Sequence, residues 1–124
     1  MMGHGDEIIL ADAHFPSESL GPPCLRADGL MITDLLSAIL PLFALDDYVD
    51  NPVSMMSPVV GDKVNPNVED NYLNIIQAHS KKEIVINKID RFDFYKKSKS
   101  AVSYTHLRAH ETSLHLVCRL LLEK

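Results

Sequence analysis

Three short runs of this chain combine residue types that move protons or hold polar ligands. In Gly3-His4-Gly5-Asp6, glycines on both sides of a histidine let the backbone turn sharply and leave the imidazole uncrowded. Histidine is the side chain best placed to give and take a proton near neutral pH. In Asp12-Ala13-His14-Phe15-Pro16, a carboxylate stands beside a second imidazole, where it can orient that ring or accept a hydroxyl hydrogen. In Ile89-Asp90-Arg91-Phe92-Asp93-Phe94-Tyr95, Arg91 and Tyr95 fall one helical turn apart and can share a face. A guanidinium with several donors beside a flat ring with a polar tip suits a sugar. Each run also has a plainer use. His4 can be a solvated turn residue, Asp12 a turn cap with His14 packed behind Pro16, and Asp90–Arg91 a helix start with Phe92, Phe94 and Tyr95 in the core. Residue types alone leave these alternatives open.

A fourth cluster is weaker. His106 and His110 stand i, i+4, a spacing two zinc ligands can use. No Glu follows His106 to complete a His-Glu-x-x-His pattern, and Glu111 and His115 are near only in sequence, so no metal site is assigned. Cys24 and Cys118 are too far apart in sequence to form a metal-spaced pair and read as free thiols of a reducing compartment.

The elements that must position these groups alternate. Glu7–Asp12 has an unbroken apolar centre, as in a strand covered on both faces, and it places Asp12 at its C-terminal end. That edge of an α/β sheet is where ligands tend to bind. Residues 17–29 are rich in Ser, Gly and Pro and read as loop, with a short strand near Leu25. A helix follows with Thr33 as its N-cap, Asp34 in the first turn and Leu35, Leu36, Ile39 and Leu40 at helical spacing. After the turn-rich 46–52, Val53–Met56 is a second core strand. Val59 to Asp62 is a strand end and turn. Asn65-Pro66 opens another helix, whose inner face is Val68, Tyr72, Ile75, Ile76 and His79. Glu83–Ile89 is a third strand and Phe92 to about Lys99 a short helix. This alternation predicts a single layered α/β domain.

The length, 124 residues, suits one domain. A formal net charge of −5 argues against nonspecific binding to nucleic acid or to an anionic membrane. No apolar run approaches the roughly 20 residues a membrane helix needs, and the first residues lack the basic and apolar regions of a signal peptide. A cytoplasmic soluble protein is the expectation.

Taken together, the first two runs are far more specific than either alone. Residues 3–16, Gly-His-Gly-Asp-Glu-Ile-Ile-Leu-Ala-Asp-Ala-His-Phe-Pro, closely resemble the signature of the RbsD/FucU family. Leu25-Arg26-Ala27-Asp28-Gly29-Leu30 is similar to its next block, followed by Asp34-Leu35-Leu36, Ile39 to Phe43, and Leu45-Asp46. Ile89-Asp90-Arg91-Phe92 and Phe94-Tyr95 resemble a later one. The resemblance implies an α/β/α domain and an enzyme that interconverts the anomers of a free monosaccharide without cofactor or metal. It implies His4 as catalytic proton donor, with Asp12 and Arg91 binding substrate. It also implies a homo-oligomer, typically a decameric ring, with sites near subunit contacts. The details look more like the branch acting on L-fucose than the D-ribose pyranases. Pyranase activity, or sugar binding without turnover, are the alternatives.

Two departures accompany the resemblance. The helix that precedes Gly-His-Gly-Asp in the family is missing. Nothing after about Ala101 follows the family pattern, including its Tyr-Gly-Asn substrate-binding motif. Val102 to Thr112 resembles translated sequencing-adapter sequence instead. The expectation is a family domain over 1–100, truncated at both ends, and an artefactual tail over 101–124. A sheet lacking its last strand would then show an unpaired edge.

Overall fold

Strand β1 (Glu7–Asp12) is the segment around which the rest of the molecule is arranged, with the boundaries its apolar run implies. The computed structural model describes residues 5–20, 23–61, 65–101, 103–107 and 120–123. Along β1, Ile8 and Leu10 point into one core and Ile9 and Ala11 into a second. The period of two in side-chain direction is what lets one strand serve both. Helices cover the sheet on its two faces, which gives the layered α/β/α architecture read from the sequence.

The sheet has six strands in the order β2-β5-β1-β6-β3-β4. The others are β2 (Cys24–Arg26), β3 (Val53–Met56), β4 (Asn87–Ile89), β5 (Ser103–Leu107) and β6 (Leu120–Glu123). β5 runs parallel to both β1 and β2, and β4 runs parallel to β3. β6 is antiparallel to both β1 and β3, so it alone opposes the other five. β5 and β6 come from the region beyond Ala101, and they take interior positions rather than leaving the expected unpaired edge at β1.

The larger core lies under α2 (Ile32–Ile39) and α3 (Asn67–Ala78). Leu10, Leu36, Val53, Ile76 and Leu122 are fully enclosed there. Burying each such side chain contributes about 1.5–3 kcal/mol, which makes this layer the main stabilising one. The smaller core lies under α1 (Ser17–Leu20) and α4 (Arg91–Ser98) and joins Ile9, Ala11, Phe15, Met56, Phe94 and Ala101.

Five local expectations are corrected. α2 begins at Ile32 with Met31 as its cap, not Thr33, because the Asp34 carboxylate accepts the Met31 N–H at 3.2 Å and starts the helix earlier. α3 begins at Asn67, where the Asn65 side chain accepts the Asn67 N–H. His79 is exposed at the far end of α3, its Nδ1 2.9 Å from the Ile75 carbonyl, and takes no part in the inner face. Only Asn87–Ile89 of the expected 83–89 strand joins the sheet. The Ile84 N–H donates to the Gln77 side chain at 2.9 Å, so α3 takes a backbone group that a neighbouring strand would otherwise use. Residues 17–20, read as loop, form the single turn of α1. No helix among the described residues is long and apolar enough to cross a membrane.

Candidate functional site

The C-terminal edge of the parallel strands gathers two of the three groups expected to act. Asp12 closes β1 and is 93% enclosed, at 7% exposure. Its Oδ1 accepts the His14 N–H at 2.7 Å, and its carbonyl accepts the Phe15 N–H at 3.1 Å. These are the bonds of an Asx-type turn, in which a short carboxylate takes over a local backbone donor. The turn is pinned from behind. Phe15 is buried and meets Phe94 edge-on, with ring centroids 6.0 Å apart and planes at 89°. Tyr95 packs on the same ring at 5.7 Å. His14 itself is exposed rather than packed behind Pro16.

Arg91 begins α4 directly after β4. Asp90 is the cap: its carboxylate accepts the N–H groups of Phe92 at 2.8 Å and Asp93 at 3.0 Å. The Asp93 N–H and a hydrogen bond shared with the Asp93 side chain hold the Asp90 carboxyl below its usual value. The same shared hydrogen bond, with repulsion from Asp90, raises Asp93. Arg91 is exposed, and its guanidinium carbon lies 5.2 Å from the centre of the Phe92 ring. Tyr95, expected to share a working face with Arg91, instead has its half-buried ring against Phe15. It holds the Asp12 turn in place.

The register shows how these groups stand to each other. Leu10 pairs with Leu120, Leu120 with Met55, and Met55 with Lys88. Two residues further along β1 and β4, Asp12 and Asp90 are therefore level on the same edge. Three strand spacings put their backbones about 14 Å apart. Asp12 is short and buried, so the reach across that gap belongs to the exposed Arg91 side chain.

His4 and Gly3 lie outside the described residues. Gly5 is described, at the other end of β1, with φ +85°. That left-handed conformation suits glycine and strains other residues, which accounts for a glycine after the histidine. From Glu7 to Asp12 the strand advances about 17 Å. The start of β1 and the Asp12 edge are thus opposite margins of the sheet.

A cleft of about 390 Å³ adjoins the Asp12 turn, between α1 and β2. Phe15, Ser17, Glu18, Cys24 and Arg26 line it. The Cys24 thiol donates to the Ser17 hydroxyl at 3.3 Å, and Arg26 pairs with Asp28 at 2.7 Å. Cys24 is a free thiol, as expected; Cys118 lies outside the described residues. Nothing in the local sequence marks these residues as neighbours, because β5 intervenes between β1 and β2. Among the described residues no three His, Cys, Asp or Glu side chains group to hold a metal ion. The side chain of His106 and the whole of His110 are outside them.

Comparison with known proteins shows the family and the fold. The RbsD / FucU transport protein family matches residues 1–115. The chain is 53% identical over 100 residues to an L-fucose mutarotase of Haemophilus influenzae, covering 81% of this chain and 69% of that one. Its fold is similar to the crystal structure of the fucose mutarotase of Streptococcus pneumoniae in complex with L-fucose. There the TM-score is 0.85 at 41% identity, over 99% of this chain and 84% of that one. FucU of Bifidobacterium longum is similar too, with a TM-score of 0.86 at 36% identity, over 99% and 86% of the two chains.

Proposed function

Because the chain belongs to the RbsD/FucU family, we propose that it is an L-fucose mutarotase, an isomerase that interconverts the α and β anomers of the free sugar. The observation that carries this reading is the 53% identity over 100 residues to a mutarotase of that sugar, in a chain whose buried, turn-fixed Asp12 and exposed Arg91 stand on one sheet edge. Mutarotation opens the hemiacetal, turns the aldehyde and closes the ring again. His4 gives a proton to the ring oxygen as the C1–O5 bond breaks, while O1 gives its proton to a solvent water and becomes the aldehyde oxygen. Closure on the other aldehyde face reverses both transfers, which a histidine poised near neutral pH can serve. Asp12 accepts from sugar hydroxyls, and Arg91 donates to them.

The working form is a cytoplasmic homo-oligomer, a decameric ring by family resemblance, with its sites near subunit contacts. The three residues given roles here lie within 1–100, and the family match extends to residue 115.

Magnetisation-transfer NMR on L-fucose, with and without the purified chain, tests the reading. Accelerated exchange that is lost in His4→Ala, with the circular dichroism spectrum unchanged, is the expected result. Unchanged exchange in His4→Ala would remove His4 from the mechanism.

A further inference from the structure

Phe92 is an aromatic side chain with no place in either core. It is 72% exposed at the start of α4, whereas Phe94, two residues on, is fully buried. A helix start needs no aromatic residue there, since Asp90 already caps it through the Phe92 and Asp93 amides. The only described ring contact of Phe92 is with Arg91, 5.2 Å away. In the single chain it is exposed, on the edge that carries Asp12 and Asp90 level with each other, with a guanidinium read as binding sugar hydroxyls over one face of its ring.

The proposed substrate has a matching asymmetry. L-Fucose is a 6-deoxy sugar, with hydroxyls on C1 to C4 and a methyl group on C5. A donor group lying over one face of a flat apolar ring leaves the ring's edge and other face open, so the two together can take both kinds of surface. A sugar hydroxyl hydrogen-bonded to Arg91 at about 3 Å brings the rest of a pyranose ring within reach of the open part of a ring whose centre is 5.2 Å from the guanidinium carbon. Aromatic faces attract weakly polarised C–H groups and exclude water from one side of them.

We infer that Phe92 is a substrate-contact residue, its ring taking the C6 methyl and adjoining C–H face of the sugar that Arg91 holds, and that it sets preference for the 6-deoxyhexose over a pentose. This rests on the reading of Arg91 as a substrate-binding residue. One methyl group in a hydrophobic pocket is worth roughly 10- to 200-fold in discrimination. Phe92 covers the methyl from one side only, so the lower end of that range, about tenfold, is the expected preference.

The test uses two sugars that differ by that methyl alone. D-Arabinose has the configuration of L-fucose at C2, C3 and C4 and lacks C6. Binding of each to the full chain is titrated by saturation-transfer NMR, alongside L-fucose anomer exchange and sedimentation velocity. The wild-type chain is expected to bind L-fucose about tenfold more tightly than D-arabinose. Phe92→Ala is expected to bind the two almost equally, with its melting temperature unchanged because the ring is outside the core. Phe92→Tyr should restore the preference. A ratio in Phe92→Ala equal to wild type overturns the inference. So does a change in sedimentation with the ratio unchanged, which would make the ring a subunit contact. If wild type accelerates L-fucose exchange while the ratio is unaffected by the substitution, only this inference fails. If wild type neither binds L-fucose nor accelerates its exchange, the mutarotase reading fails with it.

Discussion

Replacing Phe15 and Phe94 by leucine, singly and together, would measure how firmly the Asp12 turn is anchored. Phe94 is fully enclosed and Phe15 is 3% exposed, and their rings meet edge-on at 6.0 Å. Phe→Leu keeps an apolar side chain of somewhat smaller volume, so each single change should cost about 1–2 kcal/mol, less than truncation to alanine at 3–5 kcal/mol. An edge-to-face pair adds about 0.5–1.5 kcal/mol beyond the area the rings bury. The double variant should therefore lose less than the sum of the singles, by about that amount. Urea denaturation followed by far-ultraviolet circular dichroism supplies the four free energies, since the chain has no tryptophan to report. Because Phe15 is three residues beyond Asp12, each single variant should also weaken L-fucose binding while remaining folded. A coupling of zero within about 0.3 kcal/mol would refute the claim that this ring pair holds the turn. Loss of stability without loss of binding would refute the link from the turn to the site.

Acidification should protonate the two carboxylates at the start of α4 in a set order. Asp93, raised by its hydrogen bond to Asp90, takes its proton first, and Asp90, held low by the Asp93 amide, takes one last. The contribution of Asp90 is present above its usual value of about 4 and is lost as pH falls through its lowered one. That of Asp93 is present below the usual value and lost as pH rises through its raised one. Carboxyl carbon NMR would read the order directly, and Asp90 titrating above Asp93 would contradict the shared hydrogen bond. Ending the chain at Ala101 removes β5 and β6 and leaves β1 without a ladder partner on either side. That variant should give no cooperative urea transition. A cooperative transition near that of the full chain would show that 1–101 folds alone.

Local chemistry made some of the site legible before any contact was known. The GHGDEIILADAHFP run placed Asp12 at the end of a strand, and the strand has the limits its apolar residues imply, since a run covered on both faces needs no partner's identity to be recognised. A helix start at Asp90-Arg91 was legible because it depends only on residues within one turn, and the structure adds that the Asp90 carboxylate caps it. Thr33 misled because two capping arrangements were available locally, and the Asp34 carboxylate chose the earlier start. The strand over 83–89 was overextended because Gln77, remote from the pattern being read, took the Ile84 amide. The roles of Phe15 and Tyr95 were hidden for a related reason. Both look like any aromatic residue until α4 is laid across the end of β1.

The sequence by itself determined the alternation of strands and helices, the apolar run of β1, the carboxylate at its end and the glycine turn at its start. These follow from hydrophobic period, turn residues and backbone freedom, all of which act over a few neighbours. Tertiary structure alone decided that residues 103–107 and 120–123 enter the sheet on either side of β1. It also decided that Asp12 comes level with Asp90 across three strand spacings, and that Phe92 stands exposed while Phe94 is sealed. Those outcomes depend on which strand hydrogen-bonds to which and on the register between them. Ladder partners are chosen among segments distant in the chain, and no local pattern encodes that choice.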